Sequence, residues 1–118
     1  MIGIDIIEVK RIEKFIDKFG NKALLKYLNE EEIKLVKSPQ TAAGFWAAKE
    51  AVAKALGCGI GEELSFYDIV ISKTKKGKPV VSLSTNKTKY FNILAIDISI
   101  SHEKQFAIAA AIVIKNDF

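Results

Sequence analysis

The sequence predicts a single α+β domain, built from an N-terminal strand, about three helices and then antiparallel strands. Three observations predict it. The chain opens on "MIGIDII", where isoleucines alternate with Gly3 and Asp5. A three- and four-residue apolar spacing then governs residues 8–56, and the second half returns to alternation around a glycine turn. With 118 residues, 49% of them hydrophobic, the chain has enough apolar side chains for a modest core and too many for disorder.

The elements follow in order. Ile2, Ile4 and Ile6 give the first strand its period of two. From Glu8, Val9, Ile12, Phe15, Ile16 and Phe19 recur on one helical face, and Gly20 stops the helix. "NKALLKYLNEEEIKLVK" continues helically, with Asn29 set to cap a second helix whose first turn carries Glu30, Glu31 and Glu32. Ser38–Pro39 breaks the pattern, and a third helix is expected over Thr41–Leu56, closed by the C-cap sequence "GCGIG". "LSFYDIVISK" and "PVVSLS" read as a hairpin bent at Gly77. "AIDISIS" alternates again, and "FAIAAAIVI" is apolar on both faces, which predicts a central strand.

Composition excludes several classes. The uncharged stretch from Gln105 to Ile114 falls well short of the roughly 20 residues a membrane-spanning helix needs. No basic segment followed by an apolar one marks a secretory signal, and a single cysteine, Cys58, fits a reducing compartment. The cytoplasm is the expected location, with no membrane partner. The net charge of +4 is uneven, since residues 71–118 hold eight of the eighteen Lys/Arg but only three of the fourteen acids. A basic half suits an anionic partner. Recognition of nucleic acid by base stacking is not expected, because Tyr90 and Phe91 are the only adjacent aromatics there.

Two acids stand out. Asp5 lies in an apolar strand, where aspartate is depleted and an unpaired charge is costly. Glu50 lies in "FWAAKEAVAKAL", four residues before Lys54, the spacing of an ordinary surface ion pair. The alanines around them, Ala47, Ala48, Ala51, Ala53 and Ala55, leave room for a second backbone or a ligand. If the first strand packs there, Asp5 and Glu50 converge as a two-carboxylate Mg²⁺ site that keeps positions for phosphate oxygens, and the amines of the helix serve those phosphates. His102, the lone histidine, closes "DISISH" beside Ser99 and Ser101; a lone histidine is more often structural than catalytic, but this cluster at a strand end, with its backbone N–H groups, is also a candidate to hold an anion. Neither a zinc site nor a Ser-His-Asp triad is indicated.

Five segments occur in a telling order: "GIDIIEVKRI", "WAAKEAVAKALG", "GIGEELSFYDIVI", "GKP" and "ISISHEKQFAIAAAIV". Together they closely resemble the bacterial holo-acyl-carrier-protein synthases of the phosphopantetheinyl transferase superfamily. The resemblance is weakest between Gly20 and Ala43. It implies transfer of the 4′-phosphopantetheine arm of coenzyme A to a serine of apo-acyl carrier protein, with Mg²⁺ as cofactor and adenosine 3′,5′-bisphosphate as the leaving group. By position it implies that Asp5 and Glu50 bind the metal and that these two, with Lys54 and His102, form the catalytic set. It places coenzyme A against Lys54, Gly61, Ser65, Pro79 and His102, and the acidic carrier protein against Arg11. It further implies a homotrimer with active sites between subunits. One departure matters: the family pattern carries arginine where this chain has Phe45, so Lys37 or a lysine of the second half is expected to take over its hold on a coenzyme A phosphate. A different class is a non-catalytic basic module that docks nucleic acid or an acidic protein.

Overall fold

The alternating isoleucines form the first strand, β1, over Ile2–Glu8. The structure, a computed structural model, describes residues 1–116. Helix α1 (Val9–Phe19) follows without a loop and ends at Gly20, whose φ of 62° suits glycine. The expected continuation is split in two, α2 (Asn21–Leu25) and α3 (Glu30–Ile33). Asn29 does cap α3: its Oδ1 accepts the Glu32 N–H at 2.8 Å, and Glu32 Oε1 accepts the Asn29 N–H at 2.8 Å.

The long central helix, α4, spans Pro39–Ala55 and so starts two residues before the expected Thr41. Ser38–Pro39 initiates this helix rather than interrupting a pattern. The Ser38 hydroxyl accepts the Thr41 N–H at 3.2 Å, and Pro39 takes the first turn, where no N–H is needed. Its C-terminus is closed as expected, with the Cys58 and Gly59 N–H groups both donating to the Ala53 carbonyl.

The last strand is central. β5 (Phe106–Lys115) lies between β1 and β4 (Ile93–His102), antiparallel to both, with Asp5 opposite Ala109 and His102 opposite Ala107. Its inner face, Ala107, Ala109, Ala111 and Val113, is buried, and α4 packs on that layer. Its outer face, Ile108, Ile112 and Ile114, is exposed alongside Ile2, Ile4 and Ile6 of β1. The strand is therefore apolar on both sides, as expected, but only one side is covered within this chain.

The hairpin comprises β2 (Ile69–Lys73) and β3 (Pro79–Leu83), turned at Gly77 with φ 88°. β2 begins later than expected because Phe66–Asp68 forms a 3₁₀ turn in which Asp68 accepts the Ser65 N–H at 2.9 Å. A short helix, α5 (Thr85–Tyr90), was not expected. Among the described residues, no helix is long and apolar enough to cross a membrane.

Gly3 sets how closely β1 meets α4. A Cβ there would lie 1.9 Å from the Ala51 carbonyl oxygen and 2.5 Å from the Ala55 nitrogen. These are backbone atoms of a packed helix and cannot swing aside. Gly3→Ala is expected to destabilise by about 3 kcal/mol, the upper end of overpacking penalties, read from denaturant unfolding. A change below roughly 0.5 kcal/mol, the range of innocuous surface substitutions, would mean the strand is free to move away.

Candidate active site

That close approach brings Asp5 to α4. On β1, Gly3, Asp5 and Ile7 share the inward face. Glu50 and Lys54 lie one turn apart on the facing helix. The Lys54 ammonium donates to Asp5 Oδ1 at 2.8 Å. The expected Glu50–Lys54 surface pair is replaced by this strand-to-helix pair, because Asp5 reaches Lys54 directly. Among the described residues, the Glu50 carboxylate has no ion-pair or hydrogen-bond partner.

The electrostatics follow from the crowding. Partial burial, then the negative charge of Asp5, pushes the Glu50 carboxyl above its ordinary range, with Lys54 pulling the other way. Lys54 moves up, chiefly through its hydrogen bond to Asp5, so it stays an ammonium at neutral pH. Two neighbouring carboxylates, one of them unpartnered and disfavoured as a bare anion, are the donor set that a hard divalent cation such as Mg²⁺ relieves. Asp5 and Glu50 fit that ion.

Ionised Glu50 opposes folding. Because its folded pKa is raised, its stabilising contribution is present at acid pH and is lost as pH rises through the raised value. Glu50→Gln is therefore expected to melt higher than the parent protein at pH 8 without divalent cations, the difference vanishing below pH 4. Identical melting curves at pH 8 would show that the carboxylate is not strained.

Lys49, adjacent in sequence, has another task. It was expected to serve phosphates with the other charges of the helix, but its side chain points into the core and is fully buried with Glu32. The Lys49 ammonium donates to Glu32 Oε1 at 3.0 Å, the Tyr27 carbonyl at 2.7 Å and the Phe66 carbonyl at 3.0 Å. Glu32 Oε2 accepts the Ile71 N–H at 2.8 Å. All three ammonium protons are used, and no buried side-chain polar atom among the described residues lacks a partner. The pair ties α3, β2 and the Phe66 turn to α4.

His102, at the end of β4, meets the same helix at a different place. Its ring comes beside Gly44, where a Cβ would be 3.9 Å from His102 Cδ2, six residues and about 9 Å of helix rise from Glu50. His102 and Pro79 line a cavity of about 150 Å³ with Thr41, Phe45, Lys73 and Gly77. The expected grouping of Ser99 and Ser101 with His102 does not form. Alternation along β4 sends both serines to the exposed outer face while Ile100 and His102 face α4.

Gly61 and Ser65 occupy the loop after α4. Both are exposed, Gly61 donating to the Leu64 carbonyl and Ser65 held by Asp68. Arg11 lies on α1 at a cavity of about 400 Å³ whose walls include Phe15, Phe19 and Trp46, with Lys14 and Lys18 beside it. Within one chain, then, the expected residues fall into a carboxylate–lysine cluster, a histidine cavity, an exposed loop and a basic, apolar-floored cleft. Lys49, Glu32 and Lys73 were not singled out from the sequence for the places they take.

Residues 1–111 match the 4′-phosphopantetheinyl transferase superfamily. The holo-[acyl-carrier-protein] synthase of Nautilia profundicola is 61% identical over 98% of this chain and 100% of its own length. Among solved structures, the Helicobacter pylori holo-[acyl-carrier-protein] synthase in complex with coenzyme A is 50% identical and superposes with a TM-score of 0.93, covering 96% of this chain and 99% of that one. The Bacillus anthracis synthase in complex with CoA (3′,5′-ADP) gives 40% identity and a TM-score of 0.81 over 98% and 96%. With likeness in sequence and fold along nearly the whole length, the chain belongs to the 4′-phosphopantetheinyl transferase superfamily, among its holo-[acyl-carrier-protein] synthases.

Proposed function

We propose that this protein moves the 4′-phosphopantetheine arm of coenzyme A onto a serine of apo-acyl carrier protein in a Mg²⁺-dependent reaction that serves fatty acid biosynthesis. The observation that carries the mechanism is the meeting of Asp5, Glu50 and Lys54 where β1 crosses α4. In the reaction the serine hydroxyl gives up its proton to a base and its oxygen bonds to the phosphorus that bears the pantetheine arm. The bond from that phosphorus to the diphosphate bridging oxygen breaks, and adenosine 3′,5′-bisphosphate leaves. Such a transfer needs positioning and charge neutralisation more than covalent help from the protein.

Asp5 and Glu50 would hold the Mg²⁺, which supplies charge neutralisation and orientation of the diphosphate oxygens. Lys54, permanently charged, half-exposed and steadied by Asp5, stabilises negative charge on the leaving phosphate. It is a point charge, not an acid or base, at neutral pH. His102 steers a phosphate from its cavity, and Gly61, Ser65 and Pro79 border the coenzyme A. Arg11 and its lysine neighbours receive the acidic carrier protein while the apolar floor of the cleft accepts an apolar side chain, a match that weakens in salt. The uncovered sheet face carrying Ile2, Ile4, Ile6, Ile108 and Ile112 supports a homotrimer in which copies of this chain bury it.

The test is direct. Apo-acyl carrier protein, coenzyme A and Mg²⁺ are incubated with the protein, and the carrier is weighed by mass spectrometry. The mass of the phosphopantetheine arm is expected, and chelation of Mg²⁺ is expected to prevent it. An unchanged carrier mass would refute the reading. Nucleic acid raising the melting temperature where coenzyme A with Mg²⁺ does not would favour a basic docking module instead.

A further inference from the structure

Ser65 closes the loop that follows α4, and that loop has little stiffness of its own. Gly57, Gly59 and Gly61 alternate with Cys58 and Ile60, and glycine leaves a backbone free to adopt many conformations. Of residues 61–65 only Leu64 is buried, so packing fixes little of the stretch. One carboxylate holds the serine instead. Asp68 Oδ2 accepts the Ser65 N–H at 2.9 Å and the Ser65 hydroxyl at 3.2 Å, which sets both the backbone and the side chain of that residue. The Asp68 N–H returns a bond to the Ser65 carbonyl at 3.1 Å.

The second carboxylate oxygen anchors the first. Asp68 Oδ1 accepts the Ser84 hydroxyl at 3.1 Å, and the Asp68 carbonyl accepts the Ser84 N–H at 2.8 Å. Ser84 directly follows β3, whose register with β2 is fixed, so the serine is carried by the hairpin rather than by its own loop. Burial pushes the Asp68 carboxyl up, but the hydrogen bonds from Ser65 and Ser84 and the charge of Lys87 outweigh it and hold the group below the ordinary carboxylate range. At neutral pH Asp68 is an anion that only accepts. Among the described residues it makes no ion pair, and its acceptor capacity goes to these two serines.

Resting on the function proposed above, in which Ser65 borders coenzyme A, we infer that Asp68 is a positioning residue of the transfer. It does not touch the substrate; it presents the Ser65 hydroxyl to coenzyme A in one fixed place. A contact set in advance binds without a further ordering cost. The Lys49 ammonium, on the Phe66 carbonyl at 3.0 Å, steadies the next residue from the α4 side. The consequence falls on coenzyme A alone, because Asp5 and Glu50 sit where β1 meets α4 and Arg11 sits on α1.

The discriminating measurement is a double-mutant cycle on the steady-state kinetics of carrier-protein labelling with saturating Mg²⁺. Ser65→Ala and Asp68→Ala are each expected to raise KM for coenzyme A about fivefold, the value of one hydrogen bond. In Asp68→Ala, kcat and KM for the carrier protein are expected to stay within about twofold, a split that general loss of structure does not produce. The double variant is expected to fall well short of the roughly 25-fold product of independent residues, because Asp68 has no hydroxyl left to place. Asp68→Asn covers the case in which the alanine variant does not fold. Its amide oxygen can take both Ser65 hydrogens while its NH₂ group faces the Ser84 oxygen, so KM is expected within about twofold of the parent. Ser84→Ala leaves the Ser65 bonds in place and is expected to do the same. Multiplied losses in the double variant, or an unchanged KM in Ser65→Ala or Asp68→Ala, would overturn the assignment while leaving the transferase reading intact. So would a rise in Asp68→Asn or Ser84→Ala as large as that expected of Asp68→Ala. A parent protein that does not label the carrier would overturn both.

Discussion

Asp5→Asn and Glu50→Gln are each expected to lower the rate of carrier-protein labelling by about 10³-fold, the equivalent of roughly 4 kcal/mol of lost transition-state stabilisation. The reason is the number of donors. With only two carboxylates facing the site, and no third His, Cys, Asp or Glu grouped with them among the described residues, neither loss is compensated from the protein. Both substitutions preserve shape, so circular dichroism is expected to be unchanged. The two variants differ in a way a purely structural role would not produce. Losing the Asp5 charge releases Lys54 from its 2.8 Å partner and lowers the Lys54 pKa toward its ordinary value. Losing Glu50 leaves that pair in place and removes the strained carboxyl. In the parent protein, Mg²⁺ is expected to raise the melting temperature and in both variants to leave it unchanged. Wild-type rates from both variants would end the case for a metal at this position.

How much of this was visible in the chain depends on what each residue touches. β1, α4, the hairpin and the central β5 were legible because each buries one periodic face, and period is a property of sequence. The pairing of Asp5 with α4 was legible at one remove. Gly3 and the alanines of "FWAAKEAVAKAL" announce close backbone approach, and the charges ride on those two elements. α5 was not legible, since "TNKTKY" is six mostly polar residues with none buried, and no apolar stripe marks it. The start of α4 was misjudged for a definite reason: Ser-Pro ends one pattern and begins another with the same two residues, Ser38 as cap and Pro39 in the first turn.

The contacts that were illegible are those between elements with no shared period. Nothing in "NEEEIK" distinguishes Glu32, with zero exposure, from Glu31, which pairs with Lys34 at the surface. The capping geometry makes the distinction, because it turns the third residue of α3 back toward Asn29 and into the core. Lys73 is likewise one of several exposed hairpin lysines until the register places it over Phe45.

The buried pair leads to the second large effect. Lys49→Met is expected to destabilise the protein by about 3–5 kcal/mol, the range for removing one partner of a buried ion pair, and to lower the melting temperature by roughly 10 °C or more. The figure is large because Glu32 would keep its two backbone donors, Asn29 and Ile71, yet lose its countercharge in a fully buried site. Burial already pulls the Lys49 pKa down, opposed by Glu32, so each charge is tolerated only through the other. A double variant, Lys49→Met with Glu32→Gln, is therefore expected to be more stable than Lys49→Met alone, since it leaves no bare buried charge. This holds although the single amide oxygen can accept only one of those two backbone N–H groups, which now bond separate carboxylate oxygens. The coupling also has a functional direction. Lys49 holds the Phe66 carbonyl next to Ser65, and it precedes Glu50 on the same helix turn. The double variant, refolded and stable, is expected to bind coenzyme A less tightly while keeping its Mg²⁺ response, because the loop is released and the carboxylates are not. Lys49→Met melting with the parent protein would mean the ion pair is not what holds these four elements together.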